Sequence, residues 1–284
     1  MTTDAGSLPF RRIGVVGLGL IGGSLARALR ALTSPPEIAA SSLDAAELEA
    51  AVAEGIVQRP ASPARIAASA ELVIYATPPA ATRAFLQAHA SRWREDALLM
   101  DVGSVKRGVV EQARALGLGA RFVGAHPMAG GERAGWAAAR ADLFAGARVW
   151  LTPLGPEGEA AMRAAELVWR AVGARPLRIE AEKHDRLVAW TSHLPQITAT
   201  ALAAAIAASG FPADALGPGG RDATRLAASP AALWEEILLA NADLLEDPLL
   251  AMEGALVKLT EAVRARDGAA IHELFTHAAE WRSR

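Results

Sequence analysis

At 284 residues the chain is long enough for two domains, and a composition that is 52% hydrophobic and 21% charged is that of a globular protein. Its net charge of -2, with basic residues scattered along the whole length, leaves no basic stripe to neutralise a phosphate backbone, so nucleic acid is not an expected partner. There is no cysteine, which excludes disulfides, thiolate nucleophiles and cysteine-held metals. The N-terminus lacks a signal-peptide pattern and no stretch reaches about eighteen uncharged apolar residues, so a cytoplasmic protein with no membrane partner is expected.

In chain order, residues 13–16 form a short apolar run of strand type that glycines interrupt at once. Leu20, Ile21, Leu25, Ala28 and Leu29 then recur at helical spacing. The alternation continues with a strand at 37–41 and a helix at 45–54. Apolar runs at 72–76 and 98–102 follow, each closed by turn residues and each succeeded by a helix, through Leu86 and over 105–115. Residues 122–125 and 148–152 are further strands, and a helix at 157–172 and a strand at 176–179 end the pattern. Such alternation predicts a parallel sheet with helices on both faces. Beyond it only helices are predicted, over 182–209, 230–246, 248–266 and 268–282, broken by Gly/Pro segments such as residues 217–220. Ser229-Pro230 reads as a helix start, with a cap residue before a first-turn proline. The boundary is placed near residue 180, giving domains 1–180 and 181–284.

Gly17-x-Gly19-x-x-Gly22 lies between the first strand and the first helix. In that setting Gly17 permits a tight turn, Gly19 admits a pyrophosphate, and Gly22 lets helix pack on strand. With Leu20 and Ile21 opening the helix, whose N-terminus offers unpaired N–H groups to phosphates, this is a dinucleotide site of Rossmann type. Thr77-Pro78, closing the third strand, is assigned to the same site. At the end of the second strand, where an acidic residue would hold the ribose of NAD, stand Ser41 and Ser42. The cofactor is therefore NAD or NADP, with a lean toward NADP. Two further segments follow predicted strands, 101–106 and 124–132. In them His126 is either a base or a hydrogen-bonded turn histidine, and Ser104 is either a site residue or a helix cap. His89, His272 and His277 fall on helices that look partly solvated, Trp136, Trp190 and Trp234 read as core or interface, and no motif suggests a metal.

Six ordered segments carry a wider resemblance: GLGLIGGS from Gly17, ATPP from Ala76, DVGSVK from Asp101, GAHPMAG from Gly124 with Glu132 after it, HDRLVAWTSHLPQ from His184, and GGRDATRLAASPAALWEEILLAN from Gly219. In this order they resemble the prephenate/arogenate dehydrogenase family of tyrosine biosynthesis, over residues 12–245. The resemblance implies an α/β dinucleotide-binding domain followed by an all-α dimerisation domain, a homodimer, and an active site in the cleft between the domains. It also implies NAD(P)-dependent oxidative decarboxylation of prephenate or arogenate. His126 would accept the proton of the ring hydroxyl and Ser104 would orient it. His193 and Gln196 would contact substrate and Arg225 would pair with a substrate carboxylate. Glu132 and Arg221 would form a charged pair at the cleft mouth. Many relatives carry a histidine where this chain has Gln196, and a lysine is also seen at Arg221. Pro195 is expected to kink the long helix and aim His193 inward. A β-hydroxyacid dehydrogenase would need a catalytic lysine in the helical half, where only Lys183 and Lys258 stand, neither in a glycine-rich helix start. A non-catalytic NAD(P) sensor would not need His126, Ser104, His193 and Arg225 together.

Overall fold

The computed structural model describes residues 8–131 and 133–283. Its first half alternates strand and helix. β1 (Arg12–Val16) leads into α1 (Leu20–Arg30), β2 (Glu37–Ser41) into α2 (Ala45–Ala53), and β3 (Arg59–Pro60) into α3 (Pro63–Ser69). β4 (Leu72–Tyr75), α4 (Pro79–Ala88), β5 (Leu98–Asp101), α5 (Arg107–Ala115) and β6 (Phe122–Pro127) continue the series. β7 (Arg148–Pro153), α6 (Glu159–Ala171) and β8 (Arg175–Arg178) complete it. All eight strands join one sheet in the order β3-β2-β1-β4-β5-β6-β7-β8. The runs Leu-Val-Ile-Tyr of β4 and Leu-Leu-Met-Asp of β5 are buried throughout, as strands covered on both faces must be. One apolar layer, with Leu25, Leu29, Phe144 and Trp169, packs on one face, and a second, with Ile66, Leu86, Val110 and Phe122, on the other.

The all-parallel expectation is corrected at one place. β7 runs antiparallel to β6, with His126 opposite Trp150. Among the described residues between them the one helical element is a three-residue turn of 3-10 helix at Trp136–Ala138, and without a crossover helix the chain returns in the opposite direction. The sequence reading also missed β3 and α3, which are too short for periodicity to register. α3 carries ordinary start chemistry all the same, with the Ser62 side chain accepting from the Arg65 backbone N–H and Pro63 in the first turn.

The second half is helical: α7 (Ala181–Val188), α8 (Leu194–Ala208), α9 (Pro218–Thr224), α10 (Ala231–Ala240), α11 (Glu246–Ala265) and α12 (Gly268–Arg282). Pro195 interrupts the predicted 182–209 helix, and the interruption is a five-residue π turn over Ala189–His193. Proline has no N–H to return to residue 191 and its ring crowds that carbonyl, so the turn before it widens. The Gly/Pro segment read as a break opens α9, because Pro218 is pre-set for a first helical turn. Ser229 does not cap α10 with its side chain; its hydroxyl donates to Gln196 Oε1 at 3.4 Å. The described residues include no helix long and apolar enough to cross a membrane.

This half has little core of its own. α12 buries no residue and α8 buries only Gln196 and Ala199, while Leu239 is 71% exposed, Phe275 66% and Trp281 72%.

Candidate active site

The end of β1 adjoins the point where strand order reverses, with β2 on one side and β4 on the other, the place where open α/β sheets bind ligands. There Gly17 has φ +101°, a left-handed conformation that favours glycine, and its N–H donates to Ser41 O at 2.9 Å. A Cβ on Gly22 would lie 2.0 Å from Gly17 O, so only glycine lets α1 approach the turn this closely. Gly19 is different. Its backbone is extended and no atom lies within 4 Å of where its Cβ would be, so it faces open space. α1 begins there with no side-chain cap, leaving its first N–H groups and positive dipole end to a ligand. Gly19, Leu20, Ile21, Thr77 and Pro78 form one wall of a cleft of about 620 Å³, and these residues fit a dinucleotide's phosphates.

At the end of β2 the reading of Ser41 and Ser42 needs an addition. Ser41 is buried and serves through its carbonyl. The Ser42 hydroxyl donates to Glu47 Oε2 at 2.9 Å, and Glu47 Oε1 accepts the Trp136 backbone N–H at 2.8 Å. A carboxylate therefore stands at the strand end after all, supplied from the first turn of α2 and beside Gly135 of the cleft wall.

His126, at the C-terminal end of β6, is 8% exposed and meets His184 of α7, Nδ1 to Nε2, at 2.8 Å. His184 Nδ1 in turn lies 2.7 Å from Asp185 Oδ1. Asp185 also accepts the backbone N–H groups of Lys106 and Arg107, each at 2.8 Å, and so caps α5 from the other half of the chain. Beneath them the Lys106 ammonium, fully buried, donates to Asp101 Oδ2 and to Ala125 O, the latter at 2.8 Å. That pair braces the turn carrying Ser104 against the strand carrying His126. Removing one partner of such a pair typically costs about 3–5 kcal/mol.

Burial, assisted by the Lys106 ammonium and by the nearby His184 and His193, which oppose a further positive charge, pushes the His126 imidazole well below its usual range. Burial also lowers His184, against the opposing pull of Asp185, and lowers His193 to about 4. Burial pushes Asp185 up, but hydrogen bonds from His184 and from the Arg107 N–H outweigh it and hold the carboxyl below the usual carboxylate range. Three neutral imidazoles beside a carboxylate can accept and donate protons without carrying charge at rest.

The opposite wall comes from the helical half: Gln196 of α8, Arg225 and Leu226 of the turn after α9, and Trp234 of α10. Gln196 is buried and donates to Leu226 O at 2.8 Å, which fixes the turn bearing Arg225. His193 is 1% exposed, 5.9 Å edge-on from the Trp234 ring, and its Nε2 has no protein partner among the described residues. Ser104 lines the cleft, but no hydrogen bond joins it to His126, whose partner is His184; nor does it cap α5, which begins at Arg107. Arg221 turns away, its guanidinium donating to Leu216 O. Glu132, expected opposite it, lies outside the described residues.

Two family models cover almost the whole chain: the nucleotide-binding domain of prephenate dehydrogenase matches residues 25–177 and its dimerization domain matches residues 180–277. This chain belongs to the prephenate dehydrogenase family. It is 33% identical to the cyclohexadienyl dehydrogenase of Zymomonas mobilis, over 94% of this chain and 93% of that protein. It is likewise 33% identical to the prephenate dehydrogenase of Bacillus subtilis, over 94% of this chain and 74% of that protein. Among solved structures it resembles the prephenate dehydrogenase of A. aeolicus in complex with hydroxyphenyl propionate and NAD+, with a TM-score of 0.89, 28% identity and coverage of 98% of this chain and 99% of that one.

As a prephenate dehydrogenase-family fold, the chain keeps several polar residues in its centre to which sequence reasoning gave no role. His184 and Asp185 had a signal: with Val188 they share one helical face, and a His–Asp pair on an apolar face must be partnered when buried. Lys106 had none, since nothing in a sequence marks one lysine as internal. Trp234 read as core or interface and instead lines the cleft. His89 is buried, not solvated, and meets the Tyr75 hydroxyl at 3.0 Å away from the cleft.

Proposed function

We propose that the chain catalyses NAD-dependent oxidative decarboxylation of prephenate or of its amino counterpart arogenate. A nicotinamide dinucleotide in the cleft supplies the hydride acceptor for the ring carbon that bears the hydroxyl. His126 Nε2, the nitrogen not engaged by His184, accepts the proton of that hydroxyl as the ring carboxylate departs as carbon dioxide. Arg225 of the cleft wall offers a planar guanidinium to a substrate carboxylate, and His193, buried behind Trp234 of the same wall, has an Nε2 that would find its partner on the substrate. Ser104 contributes to the cleft wall beside the dinucleotide, and Gln196 sets the turn that carries Arg225.

One observation carries the reading: His126, buried and with its imidazole pushed well below its usual range, ends the strand whose following residues, Ala129, Gly130 and Gly131, line the dinucleotide cleft together with Arg225 of the second half. His126→Asn should lower kcat about 10²–10⁴-fold with substrate affinity largely kept, measured on prephenate and on arogenate. Near-normal turnover would remove His126 from the role. The preference for NAD, against the lean that Ser41 and Ser42 suggest, rests on Glu47, whose charge would repel a ribose 2′-phosphate.

The apolar faces of α11 and α12, bare in a single chain, support a homodimer formed through the helical half. Sedimentation should give twice the chain mass at micromolar concentration.

A further inference from the structure

We propose that His184 and Asp185 are positioning residues that fix the tautomer of His126 and thereby make its Nε2 the base. This rests on the reading of His126 above and adds to it the source of its protonation state. Both residues come from α7, in the other half of the chain from β6, and neither lines the cleft.

The hydrogen-bond inventory decides the direction of the chain. Asp185 receives donors only: the Lys106 and Arg107 N–H groups and His184 Nδ1. With two backbone amides fixed on its oxygens, a carboxylate can only accept, so the proton between it and His184 resides on His184 Nδ1. A neutral His184 then has a lone pair on Nε2. The group 2.8 Å away, His126 Nδ1, must bring the hydrogen. His126 is thereby left as the Nδ1–H tautomer with a bare Nε2. When Nε2 takes the substrate's proton, the His126 imidazolium donates along a line that ends on the Asp185 carboxylate, which stabilises the charge being formed.

The other charged or titratable groups facing His126 are Lys106 and Asp101 from the β5–α5 turn and His193 from the π turn. Lys106 and His193 oppose protonation of His126, and Asp101 is already engaged by Lys106. Asp185 is therefore the one carboxylate that the histidine line reaches. The β5–α5 cap is the second use of the same carboxylate: the contacts that hold α5 against α7 also orient the oxygen that His184 requires.

The test uses Asp185→Asn and the pair His184→Gln and His184→Leu in the full-length protein, with ¹⁵N-histidine spectra as well as kinetics. The Lys106 N–H and His184 Nδ1 share Asp185 Oδ1, so an asparagine that keeps its oxygen there still accepts from His184 but carries no charge to stabilise the His126 imidazolium. D185N should lower kcat about 10²–10⁴-fold with KM changed less than about threefold. The acid limb of its kcat/KM profile should move to lower pH, because a negative charge that favoured the imidazolium is gone. Glutamine at 184 can both accept from His126 and donate to Asp185, so H184Q should keep at least about tenfold more kcat than H184L. In the unmodified protein at pH 7.5 the His126 resonances, assigned by their loss in H126N, should be those of the Nδ1–H tautomer. Finding the Nε2–H tautomer there, or an acid limb that does not move in D185N, would overturn the proposal even if His126 proves to be the base. Full turnover in H126N, with the Nδ1–H tautomer observed, would instead remove the base reading and leave the positioning chemistry standing. Should H184L fail to fold, the spectrum of the unmodified protein and the D185N pH profile decide.

Discussion

Replacing Gly19 by valine separates binding from folding within one loop. The residue is extended, at φ -62° and ψ -166°, a conformation open to valine, and no atom stands within 4 Å of the new Cβ. The folding cost should stay below about 1 kcal/mol. In the cleft, however, the isopropyl group would cover the unpaired N–H groups that open α1. Two hydrogen bonds to a charged phosphate, at about 1.5–3 kcal/mol each, amount to about 3–6 kcal/mol, or about 10²–10⁴-fold in cofactor affinity. Gly22→Ala is the control with the opposite outcome. Its methyl would lie 2.0 Å from Gly17 O and 2.8 Å from Ala76 Cβ, forcing helix from strand at about 1–3 kcal/mol. NADH fluorescence titration and thermal melts on both variants read the two effects. Unweakened binding by the valine variant, or an alanine variant that melts like the parent, would refute this account of the loop.

Arg225→Ala should reduce kcat/KM for the dienoate substrate about 10–100-fold and leave NADH affinity within about twofold. Arg225→Lys should recover only part, since an ammonium cannot make the forked contact. A loss of cofactor affinity instead would misplace the cationic wall. Glu47→Gln should shift the NAD-to-NADP ratio of kcat/KM by about tenfold toward NADP, and an unchanged ratio would show that another group reads the ribose. Because His126, His184 and His193 all have folded pKa values below the ordinary 6.5, the unfolded chain takes up protons first as pH falls. Their contribution to stability is complete above about pH 6.5 and is lost below it, at up to about 1.4 kcal/mol per pH unit for each histidine. Melts at pH 7.5 and pH 5 should differ by several degrees, and a flat profile would mean that these imidazoles are charged in the fold.

Much of this molecule was legible in its sequence because local chemistry dictates it. Gly17 and Gly22 announce the turn by what no other residue could do there, and the apolar runs at 72–75 and 98–101 announce central strands. The antiparallel β7 was not legible, since strand direction depends on whether the preceding segment makes a crossover, and residues 128–147 lack a pattern that says so. His126 and Arg225 could be named from their motifs, but their environment could not. The ring that meets His126 is His184 of α7, 58 positions away, and burial lowers the imidazole. It moves the expected acid limb of activity below the near-neutral range that an isolated histidine suggests. Glu47 escaped because the acid was sought on the strand and arrives from the helix behind it.

The capping of α5 by Asp185 gives the molecule an order of failure. The oxygens that hold the first turn of α5 belong to α7, and Arg107 reaches further across to Asp243, at 2.7 and 2.5 Å, and to Asn241 at 3.1 Å. The buried members of the sheet's two apolar layers all come from the first half, while the line His126–His184–Asp185 exists only when the halves are joined. Gentle heating or dilute urea that loosens the helical half first would therefore silence catalysis while dinucleotide binding to the loop persists, so that turnover fades at a lower temperature than NADH binding.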